Sequence, residues 1–231
     1  MQYFYIQYRP GQGWFLAEPE LGHCYRVLRH RAGDEVPAVD GSGHRFRIRL
    51  GGQGEAVEVL AQQADPAEHY GEVALMFPLL KKRESIEWLV EKATELGATA
   101  LHPVRTERCE RRDLGAERLE RILLAAMKQC GRSRMPQLHP LQSFTHFIAG
   151  PLPDLCFLPH LEAAQPLAAH RQALATRDVL FAIGPEGDFS PAEVRAAEAV
   201  GFRSVRMGQH RLRAETAAAY ALSVIKTEKG Y

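Results

Sequence analysis

The sequence has few cysteines, no excess of either charge and no long apolar run. Its four cysteines, in 231 residues, lie far apart and form no C-x-x-C pair, which favours reduced thiols in a cytoplasmic protein. No stretch of about 18 apolar residues occurs, and the N-terminus lacks a basic start followed by an apolar run. We therefore expect neither a membrane span nor a signal peptide. The ten histidines have no HExxH or zinc-finger spacing, so we expect no metal site.

The charge and composition of the chain exclude few other classes of protein. The 29 Lys and Arg residues nearly cancel the 28 Asp and Glu residues, so the overall charge does not indicate a nucleic-acid binder. Any such function would depend on local basic patches. An apolar fraction of 45% is that of an ordinary globular protein, long enough for one large domain or two of moderate size.

The first part of the chain has the pattern of short β-strands. Residues 3–8 are aromatic and β-branched, and HRFRIRL (44–50) alternates apolar residues with arginines, which predicts a half-buried strand with a basic face. Pro37 favours a strand at a sheet edge. A small β-barrel over residues 1–70 would close these strands, and the polar segment 62–72 is the expected linker.

The rest of the chain, residues 71–231, alternates strand and helix patterns. This alternation predicts an α/β domain with a mainly parallel sheet. The expected strands are 73–80, 154–158, 179–183 and 204–207, and the expected helices are about 84–96, about 114–129, one from Pro191 and one from about Glu215.

The stretch GPEGDFSPAE (184–193) follows the continuous apolar run of an expected buried strand. Ser190, Pro191 and Glu193 have the pattern of a helix N-cap with a capping box, so the loop runs from a strand end into a helix. In open α/β sheets ligands bind at that edge. Glu186 and Asp188 would repel a phosphate, and neither a P-loop nor G-x-S-x-G is present. An ordinary turn with tight glycines is an equal alternative.

A second loop of the same kind supports a ligand site. MGQHRLRAETAAAYAL (207–222) also follows an expected strand and leads into a helix. Arg211 and Arg213 would bring guanidinium groups to the rim of a shared pocket. For Glu215, a purely structural role at the helix N-terminus is as good an explanation.

These two loops together resemble the knotted (SPOUT-type) RNA methyltransferases. Within that superfamily, the chain is similar to the ribosomal RNA small subunit methyltransferase E family. Three further segments carry the resemblance: HCYRVLRHRAGDEV (23–36), KKRESIEWLVEKATELGATALHPVRTERC (81–109) and KQCGRSRMP (128–136). The chain departs from the family where Asp188 replaces a glycine, Lys128 a glutamate and Arg211 an isoleucine.

The resemblance implies an α/β fold with two domains. These are an N-terminal PUA-like β-barrel for RNA (1–70) and a C-terminal trefoil-knot methyltransferase domain (71–231). It also implies a homodimer, S-adenosylmethionine as cofactor, and methylation of N3 of a uridine in the decoding region of 16S ribosomal RNA. The implied cofactor-binding residues are Ile183, Gly184, Pro185, Glu186, Gly187, Met207, Gly208, Leu212, Arg213 and Thr216.

Loss of the N3 proton requires a base or a cation that stabilises the uridine anion. We expect Arg213 to stabilise charge on a uracil oxygen, and Glu186 or Glu215 to accept the proton. The residues expected to contact RNA are Arg26, Arg29, Lys82, Arg83, Lys92, Arg108 and Arg132, in clusters that also include Arg111 and Arg112. Two alternatives stay open: another acceptor, such as a ribose 2′-OH or another base nitrogen, and an RNA-binding ribosome-assembly factor without chemistry.

Overall fold

The computed structural model of the protein describes residues 3–110 and 113–231, so Arg111 and Arg112 lie outside the described residues. The chain forms two compact units. The first runs to His69 and includes Leu124–Met135, and the second consists of Tyr70–Leu123 and Pro136–Tyr231. Within the described part, no helix is both long and apolar enough to span a membrane.

The first unit contains the expected β-barrel. Its strands are β1 (Phe4–Arg9), β2 (Gly13–Leu16), β3 (Glu35–Val39), β4 (His44–Arg49) and β5 (Ala56–Ala64). They close in the order β1-β2-β5-β4-β3, with β3 returning to β1. A short helix α1 (Glu18–Leu21) and a π-helical turn (Gly22–Val27) follow β2, and a 3-10 turn (Pro66–Glu68) follows β5.

The alternation in β4 places its apolar side chains in the barrel core, as predicted. Phe46 and Ile48 are buried, while Arg47 between them is exposed. The outer face is less basic than the sequence indicates, because two of its arginines are paired. Arg45 donates to Asp65 (Nε–Oδ2 2.7 Å), and Arg49 contacts both Glu35 and Glu58.

Two expectations about this unit are wrong. Pro37 does not lie in an edge strand, since β3 pairs with β4 on one side and with β1 on the other. The proline is tolerated because β1 pairs with β3 only at Ala38 and Val39, beyond Pro37. Residues 62–64 are not linker but the end of β5, paired with β4. Their side chains are exposed on the barrel exterior, so no apolar alternation marks them as a strand.

The second unit is built on a seven-stranded parallel sheet, as predicted. Its strands are β6 (Val73–Pro78), β7 (Ala100–Arg105), β8 (Gln137–Leu138), β9 (Gln142–Ser143), β10 (Leu155–Pro159), β11 (Val179–Ala182) and β12 (Arg203–Val205). The order is β12-β10-β11-β6-β7-β8, with β9 also pairing with β7. The helices are α2 (Arg83–Glu95), α3 (Ala116–Cys130, whose end belongs to the first unit), α4 (Phe144–Ile148), α5 (Arg171–Thr176), α6 (Pro191–Ala199) and α7 (Ala214–Lys229). A 3-10 turn (Leu167–His170) precedes α5.

The central strands β6 and β11 are buried along their whole length, which is typical of parallel strands covered on both faces. Because β10, β11 and β12 are neighbours and parallel, the loops that leave their carboxyl ends emerge side by side. This arrangement positions the candidate site described below.

Buried carboxylates connect Leu124–Met135 to the barrel within the first unit. Glu68 accepts from the Arg132 guanidinium (Nη2–Oε2 2.8 Å), and both side chains are largely buried. Asp65 accepts from Ser133 Oγ at 2.8 Å as well as from Arg45. Burial acts to raise the pKa of Asp65, but the hydrogen bonds from Arg45 and Ser133 outweigh it and lower that pKa. Arg132 therefore has a structural function, whereas its contact with RNA stays a prediction.

The lysine at position 128, where the resembled family has a glutamate, also has a local explanation. Its ammonium group contacts the carboxylate of Glu20, which is 1% exposed. A glutamate at position 128 would place a second carboxylate beside a buried one, so the lysine fits this chain's own barrel.

We predict that Arg132→Met lowers the free energy of unfolding by about 3–5 kcal/mol, because it removes the cation paired with a buried carboxylate. Urea unfolding followed by circular dichroism measures the change. Arg47→Met, on the exposed face of β4, is the matched control and should change stability by less than about 0.5 kcal/mol. Equal stability of the Arg132 variant and the control would contradict a structural function for this pair.

Candidate functional site

A cavity of about 550 Å³ lies at the carboxyl end of the parallel sheet in the second unit. Its walls are the segments that follow β6, β10, β11 and β12, together with the starts of α2 and α7. This volume is within the range of about 300–1,000 Å³ typical of small-molecule sites.

Most of the residues predicted for the site line this one cavity. They are Ile183, Gly184, Pro185, Glu186, Met207, Gly208, Leu212, Arg213 and Glu215. Two predicted residues do not line it: Gly187, whose carbonyl accepts from the Arg108 guanidinium, and Thr216, which is exposed on α7. The structure thus brings the two predicted loops together, while the role of each residue stays a prediction.

The capping box predicted for α6 fixes the end of the first loop. Ser190 Oγ accepts from Glu193 N at 3.3 Å, and Glu193 Oε2 accepts from Ser190 N at 2.9 Å. The same Glu193 carboxylate accepts from Glu107 N (2.8 Å), which ties the helix start to the segment after β7. The end of the loop at Ser190 is therefore fixed.

The unusual backbone conformation in this loop falls on Asp188 rather than on a glycine. Asp188 has φ 62°, and its Oδ1 accepts from Phe189 N at 2.8 Å. Neither Gly184 nor Gly187 has a positive φ. The surroundings of Gly184 leave little space for a side chain, since a Cβ there would lie 3.0 Å from Asp188 Oδ1 and 3.2 Å from Phe189 Cδ2.

The carboxylates of the cavity are held by neutral donors. Glu186 Oε1 accepts from Lys81 N at 2.9 Å, and Glu215 Oε1 accepts from Ser85 Oγ at 3.3 Å. Neither forms an ion pair with any described residue. Both carboxylates are therefore available to pair with a positively charged group of a ligand.

Three of the four Lys and Arg side chains that line the cavity also lack an ion-pair partner among the described residues. Lys82, Arg211 and Arg213 line it without an ion-pair partner among the described residues, whereas Lys81 pairs with Glu110 (2.7 Å). A site with unpaired charges of both signs suits a ligand that itself carries both.

His160 is a cavity residue that the sequence analysis missed. It follows β10, and its backbone N donates to Val205 O at 3.1 Å. Its Nε2 is buried and has no hydrogen-bond partner within the described part of the chain. Such an atom costs free energy unless a ligand or water supplies the partner. In the sequence, only the position of His160 shortly after the expected strand 154–158 could have indicated that it belongs to the site.

The predicted RNA-contacting residues are distributed over both units. Arg26 and Arg29 are exposed in the first unit, and Lys82 lies at the cavity. In the second unit Arg83 pairs with Glu87, and Lys92 pairs with Glu91 and Glu95. No group of three or more metal-ligating side chains is present among the residues described.

Comparison with known proteins identifies the class. Residues 67–226 match the family model of the RNA methyltransferase domain. The ribosomal RNA small subunit methyltransferase E of Synechocystis is 32% identical over 220 residues, covering 91% of this chain and 71% of the relative.

Solved structures agree with that match. The ribosomal RNA small subunit methyltransferase E of Neisseria gonorrhoeae, bound to S-adenosyl methionine, has a TM-score of 0.84 and 25% identity, covering 98% of this chain and 97% of that one. A methyltransferase from Legionella pneumophila in complex with the bound cofactor SAM has a TM-score of 0.82 and 27% identity, covering 98% and 96%.

The chain therefore belongs to the RNA methyltransferase domain family. Within it, the chain is a member of the ribosomal RNA small subunit methyltransferase E family, and the expected α/β fold with an N-terminal β-barrel is confirmed.

We predict that Asp188→Gly is nearly neutral, while Asp188→Val lowers the free energy of unfolding by about 1–2 kcal/mol, because a β-branched residue resists positive φ. Glycine loses the hydrogen bond to Phe189 N but adopts this conformation freely. Thermal unfolding should show a decrease of several degrees for valine only. Equal melting temperatures for the two variants would contradict the backbone requirement at position 188.

Proposed function

We propose that this RNA methyltransferase uses S-adenosylmethionine to methylate N3 of a uridine in 16S ribosomal RNA, in the cytoplasm. The observation that carries the proposal is the cavity between the loops at 183–188 and 207–215, with unpaired charges of both signs. Two relatives that share this fold are bound to the same methyl donor.

The residues of the cavity fit this cofactor. It has a carboxylate, an ammonium group and a sulfonium, which match the unpaired cations and carboxylates of the walls. We propose that Gly184–Gly187 contact it with backbone atoms, and that Met207, Gly208, Leu212 and Arg213 hold its adenine and methionine ends, with Thr216 nearby. The buried, unpartnered Nε2 of His160 supports a polar ligand in the same space. When bound, the cofactor supplies a methyl group activated by the sulfonium.

The chain's own residues would act on the acceptor. Uridine N3 carries a proton that must leave before the nitrogen can attack. We propose that the Arg213 guanidinium stabilises the negative charge that develops on a uracil oxygen. Glu186 or Glu215 accepts the proton, and each carboxylate has one oxygen held by a neutral donor while the other stays available. Burial of the acceptor in the cavity would also exclude water from the reaction.

RNA binding would depend on local cations, since the whole chain is nearly neutral. Arg26 and Arg29 flank Val27 and Leu28, both of which are exposed. We propose that this segment and Lys82, Arg83, Lys92, Arg108 and Arg132 contribute to the RNA surface. Affinity should then fall steeply with salt concentration. A target uridine that is stacked in the RNA would have to be extruded to reach the cavity.

We further propose the domain roles and assembly that the resemblance implies. Residues 1–70 form a PUA-like RNA-binding barrel, residues 71–231 a knotted methyltransferase domain, and the enzyme a homodimer. In the second unit, Arg206 N donates to Gln165 O (2.7 Å) and Leu167 N to Arg206 O (2.9 Å), so the chain after β12 is held by the segment after β10. Trp88 and Tyr220 are exposed apolar side chains of α2 and α7 that suit burial against a second copy.

We predict that Arg213→Ala slows methyl transfer by about 10²–10³-fold, because it removes a preorganised charge from the transition state. The assay uses labelled S-adenosylmethionine and small ribosomal subunits from cells lacking the enzyme, with mass spectrometry of the nucleosides. Arg195→Ala, on the exposed side of α6, is the control and should retain wild-type activity.

The same assay separates the alternatives. Full activity of Arg213→Ala would refute the role of this arginine. A product methylated on the ribose or on another base nitrogen would refute uridine N3 as the acceptor. If calorimetry detects no binding of S-adenosylmethionine to the wild-type protein, an assembly factor without chemistry would be the better description.

A further inference from the structure

The β1–β2 hairpin of the barrel projects aromatic side chains beyond the core. Ile6 pairs with Leu16 and Tyr8 with Trp14, so these four side chains share one face of the hairpin. Ile6 and Leu16 are buried in the barrel, whereas Tyr8, closer to the turn, is 58% exposed. The face that fills the core therefore continues outward and ends in exposed aromatic surface.

Trp14 anchors this surface to the barrel. Its ring lies 5.1 Å from that of the buried Phe46 and 5.3 Å from that of Tyr8, in an edge contact. A ring held in this way loses little conformational freedom when it binds a flat ligand.

An arginine and a third ring occupy the other face of the hairpin. Arg9 Cζ lies 4.4 Å from the ring centroid of Phe15, a cation–π contact. Arg9 is exposed and forms no ion pair with any residue that the structure describes. The Arg9 guanidinium is thus held in place by Phe15 and is available to bind an anionic group.

A shallow depression of about 400 Å³ runs along β1 and includes Tyr8, Arg9, Trp14 and Asp40. Asp40 Oδ1 accepts from Ser42 N (2.9 Å) and Ser42 Oγ (2.7 Å), which fixes an acceptor within the same depression. A base edge with N–H groups can donate to such a carboxylate.

The balance of charge decides which form of nucleic acid fits. Duplex binding depends on several cations along two phosphate backbones. Here the depression is lined by one arginine and one aspartate, while Tyr8 and Trp14 place two aromatic rings on the same face of the hairpin. Single-stranded sites combine stacking on aromatic rings with few backbone contacts, and stacking contributes about 1–3 kcal/mol per base.

We propose that the tip of the β1–β2 hairpin is a binding surface for single-stranded RNA, in which Tyr8 and Trp14 stack on bases and Arg9 contacts a phosphate. The proposal rests on RNA being the substrate of the proposed function. It assigns to the hairpin a role in holding unpaired nucleotides, separate from the methyl-transfer cavity.

The test measures binding of the full-length protein to a labelled strand of ten cytidines. Cytidine lacks the uridine acceptor, so the methylation cavity does not dominate the signal. We expect Tyr8→Ala to weaken binding by about tenfold, the loss of one stacked base, while Tyr8→Phe binds like the wild type because it keeps the ring. Both variants should bind S-adenosylmethionine normally.

A second readout locates the contact directly. The chain has two tryptophans, so Trp88→Phe leaves Trp14 as the single tryptophan, whose emission is excited selectively over that of the tyrosines at long wavelength. We expect the cytidine strand to quench Trp14 emission, and a duplex of equal length to quench it less.

Unchanged affinity of Tyr8→Ala, or binding without quenching, would overturn the proposal while leaving methyl transfer intact. Conversely, if the wild-type protein binds the strand through Tyr8 but methylates no RNA, the proposed methyltransferase function would be refuted. The hairpin would still be a binding surface for single-stranded RNA.

Discussion

The parallel pairing of β10 with β11 and β12 is the constraint on which the rest of the site depends. It places three strand ends side by side, so that the segments after them can form one cavity wall. Strands β10 and β11 themselves offer no reactive groups to the cavity, because they are apolar and almost entirely buried. The charged groups that line the cavity come from the loops and from the first turn of α7.

Ion pairing within the chain then selects which cations stay available. Basic clusters in the sequence overstate the positive surface, because Arg45, Arg49, Arg83 and Lys92 are neutralised by nearby carboxylates. Lys82, Arg211 and Arg213 at the cavity have no such partner among the described residues. In a chain of nearly zero net charge, such local imbalance is what can direct a charged ligand or RNA to one surface.

The features that local chemistry determines could be predicted from the sequence. The capping box at Ser190, the buried strand before Gly184 and the alternation around Phe46 each depend on neighbouring residues only, and all three are present. The features that depend on distant contacts could not be predicted. The strand character of Gln62 and Gln63 comes from pairing with β4. The positive φ of Asp188, the space reserved at Gly184 and the unpartnered Nε2 of His160 likewise exist only once the chain has folded.

The activity that we propose for this cavity is methylation of N3 of a uridine in 16S ribosomal RNA. Its most direct test is nucleoside mass spectrometry of 16S ribosomal RNA from source cells that lack the gene, compared with cells in which the gene is restored. We expect 3-methyluridine to be absent without the gene and to return with it. An unaltered modification profile, or the loss of a different methylated nucleoside, would contradict the proposed activity.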